Sequence, residues 1–228
     1  GQKKLSQKWN YQSEDQQPCD FTYISANLRD SLGETPSYAK AYHTSEIKIS
    51  DTKSFKISFI GLTTAATPQQ TSLRHLQGLT FDADYIKVID SLKSTPEYQL
   101  IAPSIDATFI VGHIGAMREN GVPVWVDIAN EQLSQFTTNT ADGFFAAHTH
   151  DTLAGLINDN QLPIVQGGNN GRYIGIMKVK YDTLKNKVTK ITPELCPVNH
   201  HQHSGSPTQK QVDSLLQELL QKLHVDLT

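Results

Sequence analysis

The chain has 228 residues, of which 37% are hydrophobic and 19% are charged, and its formal net charge at pH 7 is -3. This length is enough for one sizeable domain, or for one domain with an appendage. Acidic and basic residues are mixed along the chain, which argues against a nucleic acid polymer as a partner because such proteins usually carry a basic stripe. No apolar stretch is long enough to span a bilayer, and the first residues lack the apolar segment of a signal peptide.

The sequence of residues 1–92 predicts a helix, three strands and a second helix. Residues 1–17 are polar, and the i, i+4 pair Leu5 and Trp9 indicates a short amphipathic helix. Apolar and β-branched runs predict strands at the following positions: 21–26, 46–49 and 55–62. Residues 63–77 form a polar connection without a clear period, and residues 82–92 carry apolar side chains at helical spacing, with Asp82 as a candidate N-cap.

Two apolar runs in the middle of the chain end in histidine. The β-rich run 108–112 ends at His113, and the run 144–147 ends at His148 and His150. Residues i and i+2 of an extended segment point to the same face, and open α/β sheets place their sites at the C-terminal ends of their strands. A single H-x-H pair is more often part of a polar loop, but two buried strands that both end in histidine suggest one shared metal site.

The segments around these histidines complete the predicted architecture. Residues 115–122 are predicted as a loop, residues 128–136 as a helix that packs on the sheet, and residues 142–147 as a strand. Successive strands without helices follow, at 152–157, 162–166, 174–181 and 187–191. This order predicts a βαβ-like first part and an antiparallel β-meander at the end, and a layered α/β fold accommodates both.

Three other features leave their interpretation open. The stretch 166–175 contains four glycines and is either a hairpin connection or a loop that lies close to a ligand, but a strand follows it, so it is not a P-loop. Cys19 and Cys196 form either one disulfide or two buried thiols. The histidines at 200–203 lie in a polar linker, and an exposed loop is favoured there over a metal site, because no buried strand presents them.

A helix is predicted at the C-terminus. Ser206 is a candidate N-cap, Pro207 occupies the first helical position, and Gln209 completes a capping-box pattern. One apolar stripe at 3.6-residue spacing follows, made of Val212, Leu215, Leu216, Leu219, Leu220 and Leu223. This helix lies on the domain or leads into another one, and the linker before it slightly favours the second arrangement.

The histidines indicate metal chemistry. Neutral imidazole suits Zn, Mn, Fe and similar divalent ions, and a pair of such ions is typical of enzymes that hydrolyse phosphate esters. Such a centre also needs carboxylates, and the acidic residues near the histidine motifs are few: Asp106, Asp142 and Asp151. The sequence therefore offers half of a dinuclear site.

Five segments together resemble the 5'-nucleotidase/UDP-sugar hydrolase family of calcineurin-like metallophosphoesterases. The similarity runs from about Leu5 to Val198, and its motifs are SANL at 25–28, FIGLT at 59–63, VGHIG at 111–115, AHTH at 147–150 and QGGNNGRYIG at 166–175. Each motif is weak, but their joint order and spacing are fairly specific. The resemblance implies an α/β fold, a four-layer α/β/β/α sandwich that is incomplete here because the N-terminal strands are missing.

The resemblance also implies a site with two divalent metal ions, Zn, Mn or similar. It assigns His113 and His148 to one ion and His150 to the other, and we take Asn169 and Asn170 as candidate substrate-binding residues. Family members usually carry Gly-Gly where this chain has Ala146-Ala147, a small change that should leave the turn possible.

The family's first metal motifs, D-x-H, G-D and G-N-H-[ED], are absent from this sequence. They supply the bridging Asp and the catalytic His, so we predict no catalytic residue in this chain. We expect residues 1–199 to be the C-terminal portion of the metallophosphoesterase domain, and residues 200–228 to be a linker and a helix that leads towards a substrate-binding domain. The chain would then be the middle of a longer enzyme, whose missing segments are its partners.

These features lead to one main hypothesis and two alternatives. The intact protein would hydrolyse nucleoside 5'-monophosphates or nucleotide sugars in an exported, periplasmic or cell-surface setting, and this chain on its own would be inactive. A degenerate member of the family could instead serve as a non-catalytic binding or surface module. A weaker alternative is a metal-storing module that uses His113, His148, His150 and the histidines at 200–203.

Overall fold

A computed structural model describes residues 22–126, 130–159 and 161–198. Several predictions lie outside these ranges: the helix at 1–17, the partner of Cys196 in a possible disulfide, the histidines at 200–203 and the helix from Ser206 to Leu223. Within the described ranges, no helix is long and apolar enough to cross a membrane.

The described part of the chain contains twelve strands and four short α-helices. The strands are β1 (Leu28–Arg29), β2 (Tyr42–Ser50), β3 (Lys53–Thr63), β4 (Thr80–Phe81), β5 (Ala107–His113), β6 (Ala116–Glu119), β7 (Val122–Trp125), β8 (Gly143–Phe145), β9 (Thr152–Ile157), β10 (Leu162–Gly167), β11 (Tyr173–Asp182) and β12 (Lys187–Pro197). The helices are α1 (Thr67–Gln70), α2 (Tyr85–Lys93), α3 (Pro96–Ile101) and α4 (Asn130–Leu133), with 3-10 turns at Leu73–His75 and Ala102–Ser104.

A six-stranded sheet with the order β2-β3-β5-β8-β10-β9 forms the centre of the molecule. Strands β3, β5, β8 and β10 run parallel, while β2 and β9 pair antiparallel at the two sides. The parallel strands all end on the same side of the sheet, which we call the C-terminal edge. Parallel strands deliver the residues that follow them to one edge, so His113 and the segment after β8 are placed together.

The two faces of the sheet pack against different layers. Along β3, Ile60 and Leu62 point to one face and join the cluster that includes Tyr85 and Ile89 of α2. The residues at odd positions, such as Phe55, point to the other face and pack against the β11–β12 hairpin. This alternation is the two-residue period of a strand that is covered on both sides. The described residues therefore form a helical layer, the central sheet and a second β layer.

The structure corrects the predicted helix boundaries. Helix α2 begins at Tyr85, and its N-cap is Asp84, whose side chain accepts a hydrogen bond from the Lys87 N–H at 3.0 Å. Asp82, the predicted cap, instead forms an ion pair with Arg29 at 3.1 Å. Helix α3 was not predicted, and it begins after the N-cap Thr95, with Pro in its first turn.

Three predictions of extended or irregular structure are wrong. Residues 115–122, predicted as a loop, contribute to the β6–β7 hairpin, whose turn residues Asn120 and Gly121 have φ values of 49° and 84°. In the described part of the segment predicted as a strand at 21–26, which is residues 22–26, only Ile24 forms a bridge, to Lys40. The connection 63–77 is not irregular throughout, because it contains α1 and a 3-10 turn.

The prediction of a β-meander is only partly correct. Strands β9 and β10 pair antiparallel, and so do β11 and β12, but β10 and β11 belong to different sheets. The glycine-rich stretch makes this crossing, and a Cβ on Gly167 would come within 2.8 Å of the carbonyl oxygen of Tyr173. Glycine therefore lets the two sheets approach closely at this point.

A buried asparagine ties the start of the described chain to the C-terminal edge. Asn27 is 0% exposed, and its Nδ2 donates to the carbonyl oxygens of Thr63 at 2.7 Å and Asp82 at 3.0 Å. Its Oδ1 accepts from the Thr63 N–H at 2.9 Å. One side chain thus provides partners for three backbone groups of two other segments.

We predict that Asn27→Leu lowers the free energy of unfolding by about 2–3 kcal/mol, because leucine keeps the volume but leaves buried backbone groups unpaired. Urea unfolding followed by circular dichroism measures this loss. The control is Asn139→Leu at an exposed position, where the change should stay below about 0.5 kcal/mol. Equal effects of the two substitutions would contradict this role of Asn27.

Candidate metal centre

Two of the three predicted metal ligands face each other at the C-terminal edge. His113 is the last residue of β5, and His148 follows β8 after two alanines. The Nε2 atom of His113 lies 3.2 Å from the Nδ1 atom of His148, and the two rings meet edge to face with centroids 4.9 Å apart. The structure therefore brings together two imidazoles that are 35 residues apart in the sequence.

The separation of these two nitrogens fits one shared ion. Zinc–nitrogen bonds of about 2.0–2.1 Å in tetrahedral geometry place two nitrogen ligands about 3.3 Å apart. The same separation allows an N–H of one ring to donate to the lone pair of the other when no ion lies between them. The donor set of two neutral imidazoles also suits zinc, manganese and similar ions.

His150 belongs to the same turn but not to the same pair. Positive charge on the His150 ring lowers the pKa of His113, so these two rings lie within electrostatic range of each other. Among the described residues, however, no three side chains of His, Cys, Asp or Glu are grouped closely enough to hold one ion. The assignment of His113 and His148 to one ion and of His150 to another stays a prediction.

The environment of His113 favours its neutral form. Partial burial at the end of β5 lowers the pKa of this imidazole below its ordinary value of 6.5, and positive charge on His148 or His150 would lower it further. A neutral ring offers a lone pair at physiological pH, which metal coordination requires.

The turn that carries His148 and His150 has an unusual backbone. The φ angles are 88° at His148 and 62° at His150, in the left-handed region that only a few per cent of residues other than glycine adopt. Between them, the Thr149 hydroxyl donates to the Ala116 carbonyl at 2.6 Å, and the preceding Ala147 N–H donates to the Ile114 carbonyl at 3.2 Å. These bonds fasten the turn to the segment that follows His113.

The buried amide of Gln166 lies beneath this turn. Gln166 is 2% exposed, and its Nε2 donates to the Thr149 hydroxyl oxygen at 2.7 Å and to the Asp151 carbonyl at 2.8 Å. Its Oε1 accepts a longer bond from the Ala116 N–H at 3.5 Å. Gln166 therefore joins β10 to both strand ends that present the histidines. Nothing in the sequence analysis singled it out except its place at the start of the glycine-rich stretch.

Small residues allow the turn to pack closely. A Cβ at Gly115 would collide with the side chain of Thr149, so glycine is required there. Ala146 and Ala147 are not among the described residues with positive φ, so the backbone at these two positions does not require glycine.

The acidic residues near the histidine motifs have other partners. Asp106 accepts from the Tyr181 hydroxyl at 2.9 Å and the Lys56 N–H at 2.8 Å, and Asp142 accepts from the Thr108 N–H at 2.7 Å. Asp106 directly precedes β5 and Asp142 directly precedes β8, so both lie at the opposite ends of these strands from the histidines. Asp151 accepts from the backbone N–H groups of Arg118 at 2.8 Å and Thr152 at 2.7 Å.

The glycine-rich loop lies beside the histidine turn. A Cβ on Gly168 would come within 3.8 Å of the His150 carbonyl oxygen. Asn170 has a φ of 54°, and the Asn169 carbonyl accepts from the Arg172 N–H at 3.2 Å, which closes a turn. The structure thus places the loop at the C-terminal edge, while the roles of Asn169 and Asn170 in substrate binding stay predictions.

Gln70 is a neighbour of the site that the sequence analysis did not identify. It is the last residue of α1, and its Nε2 lies 3.1 Å from the Nε2 atom of His148. The polar, aperiodic composition of residues 63–77 gave no indication that a side chain from this connection reaches the histidines.

Comparisons with known proteins relate the chain to metallophosphoesterases. No family model matches the chain. An uncharacterised metallophosphoesterase, YunD of Bacillus subtilis, is 24% identical over 174 residues, which cover 76% of this chain and 32% of that protein. The structure of the calcineurin-like phosphoesterase YfkN of Bacillus subtilis aligns with a TM-score of 0.61 at 17% identity, over 91% of this chain and 64% of that one.

A Staphylococcus aureus protein assigned as a 5'-nucleotidase aligns with a TM-score of 0.60 at 19% identity, over 89% of this chain and 37% of that one. This chain therefore spans about a third of the length of the curated relative that it matches and of this structure. The resemblance seen in the sequence is confirmed over most of the chain, and the similarity to the solved structures, at these identities, is one of fold.

We predict that Gln166→Met lowers the free energy of unfolding by about 2–3 kcal/mol, because methionine fills the space of the amide but leaves the buried polar groups around it unpaired. Because the turn then loses its support, the His113–His148 ring contact should disappear as well. Urea unfolding measures the first effect, and nuclear Overhauser contacts between the two rings measure the second. The control is Gln161→Met at an exposed position, which should change neither quantity.

A second prediction follows from the lowered pKa of His113. In the unfolded chain this histidine takes up a proton near its ordinary pKa of 6.5, whereas the folded state resists protonation to lower pH. Stability contributed by neutral His113 is therefore fully present above about pH 7, and it falls as the pH is lowered through 6.5 towards the folded pKa. In thermal unfolding with a chelator present, the melting temperature of His113→Gln should fall less on acidification than that of the original chain. Identical slopes of melting temperature against pH for the two proteins would contradict this prediction.

Proposed function

We propose that this chain, which has the fold of the calcineurin-like phosphoesterases and 5'-nucleotidases, is part of a metal-dependent phosphoester hydrolase. The observation that carries the proposal is the pair of imidazole nitrogens, 3.2 Å apart, at the C-terminal edge of the parallel strands. This edge is where open α/β sheets place their sites, and the separation is that of two ligands of one ion.

The residues of this chain would hold the ions rather than perform the chemistry on the substrate. His113 and His148 would hold one divalent ion and His150 the second, with zinc, manganese or a similar metal as the occupant. When bound, such ions supply an activated water and stabilise negative charge on the phosphoryl group. Gln166 and Thr149 keep the turn in the geometry that directs His148 towards His113. The lowered pKa keeps His113 neutral and available for coordination.

The substrate would be a nucleoside 5'-monophosphate or a nucleotide sugar. Support comes from the similarity in fold to a protein assigned as a 5'-nucleotidase. That protein is longer than the region that matches this chain. The glycine-rich loop with Asn169 and Asn170 lies beside the histidine turn, where it could contact a bound phosphoester. We propose that the carboxylate ligands, the catalytic His and the base-binding domain come from segments outside this chain. By analogy with the family, the intact enzyme would be exported, periplasmic or at the cell surface.

The proposal is tested by measuring phosphate release from AMP and UDP-glucose with Mn²⁺ or Zn²⁺. The proteins compared are this chain and the same chain joined to an upstream segment that carries the D-x-H and G-N-H-[ED] motifs. We expect negligible turnover by the chain on its own, and activity in the extended protein that falls at least about a hundredfold in His148→Ala. His75→Ala, in an exposed turn, is the matched control and should keep full activity.

Two outcomes would contradict the proposal. Turnover by this chain on its own that survives His148→Ala would show that the site has been assigned wrongly. An extended protein that binds the ions but hydrolyses neither substrate would favour a non-catalytic binding module of the same fold.

A further inference from the structure

The imidazole of His148 has a polar partner at each of its two nitrogens. Its Nδ1 faces the Nε2 atom of His113 at 3.2 Å, and its own Nε2 faces the amide of Gln70 at 3.1 Å. A neutral imidazole carries only one N–H. If one ring nitrogen donates a hydrogen bond, the other has a lone pair and requires a donor as its partner.

The turn that presents Gln70 is fixed to the backbone of His113. The Thr64 N–H donates to the His113 carbonyl oxygen at 3.2 Å, and Thr64 is 1% exposed. The Thr67 hydroxyl donates to the Thr64 carbonyl at 2.6 Å, and the Ala65 N–H donates to the Tyr85 hydroxyl at 2.9 Å. Gln70 itself is exposed, but these bonds attach the turn that carries it to the backbone of His113.

His148 needs opposite partners in its two states. When its Nδ1 donates to His113, its Nε2 has a lone pair and requires a donor. When both facing nitrogens offer lone pairs to one ion, the Nε2 of His148 carries the proton and requires an acceptor. A carboxylate supplies only the second partner and an ammonium group only the first, whereas a terminal amide supplies either one by a half-turn about its last bond.

We propose that Gln70 is a positioning residue for His148, and that rotation of its amide satisfies the ring in both tautomers. Its Nε2 donates in the metal-free pair, and its Oε1 accepts when the pair binds an ion, so the ring stays in one orientation throughout. The metal-bound half of this proposal rests on the proposed function, while the metal-free half stands on the two contacts of His148.

The two halves are tested separately on the 228-residue chain. Long-range ¹H–¹⁵N spectra of ¹⁵N-histidine protein at about pH 8, with a chelator present, report which nitrogen of His148 carries the proton. We expect the Nδ1–H tautomer in the original chain and the Nε2–H tautomer in Gln70→Glu, which offers only an acceptor. Gln69→Met, on the same exposed turn, is the matched control and should leave the spectrum of His148 unchanged.

Zinc titration by calorimetry tests the metal-bound half. Gln70→Met should weaken zinc binding about tenfold, because the metal-bound ring loses its outer hydrogen-bond partner. Gln70→Glu should restore or exceed the original affinity, which a purely structural role of the glutamine would not produce. Dispersed proton spectra of each variant establish that it is folded.

Three results would overturn one half or the other. The same His148 tautomer in the original chain, Gln70→Glu and Gln70→Met would overturn the role of Gln70, whether or not zinc binds. Equal zinc affinity of Gln70→Met and the original chain would overturn its action in the metal-bound state. Expected tautomers, with no zinc binding either by this chain or by the chain joined to the upstream segment, would support the Gln70 contact and contradict the proposed function, so the two failures are distinguishable.

Discussion

The hydrogen bonds beneath residues 148–150 are the constraint on which the candidate metal centre depends. Two histidines with left-handed backbone in one turn are unfavourable by about 1–3 kcal/mol each, so the surrounding structure must hold them. Thr149 and the buried amide of Gln166 do so, and they attach the turn to the residues that follow β5. If these bonds were lost, the chain would relax to an extended path, and the Nδ1 atom of His148 would no longer face His113.

The sheet brings His113 and His148 to the same edge, and the turn sets the direction of the His148 side chain. The register between β5 and β8 pairs Val111 with Phe145, which puts His113 level with Ala147 if both strands are continued. His148 is one residue further on, and in an extended strand its side chain would point to the opposite face. The positive φ at His148 changes this direction and brings the rings to an edge-to-face contact. A two-residue period therefore predicts that the histidines share an edge, but it does not predict that their nitrogens meet.

The sequence was informative where burial dictates a pattern and uninformative where single polar contacts decide. The apolar alternation in β3 and the apolar run before His113 predicted those strands because both of their faces are covered. The Asn120-Gly121 turn was a recognisable hairpin signal that the prediction of a loop overlooked. Asp82 and Asp84 are both suitable N-cap residues by type, and in the structure the helix begins at Tyr85, so the cap is Asp84. Gln70 and Gln166 carry no pattern, since their importance comes from partners distant in the chain.

The candidate metal centre requires that one ion lies between His113 and His148. Anomalous diffraction from crystals soaked in zinc, recorded above and below the zinc absorption edge, answers this question without reference to activity. We expect a peak about 2.1 Å from both the Nε2 atom of His113 and the Nδ1 atom of His148, with the two nitrogens about 3.3 Å apart. Saturating zinc that gives no peak at this position, or only a peak elsewhere in the molecule, would contradict the account.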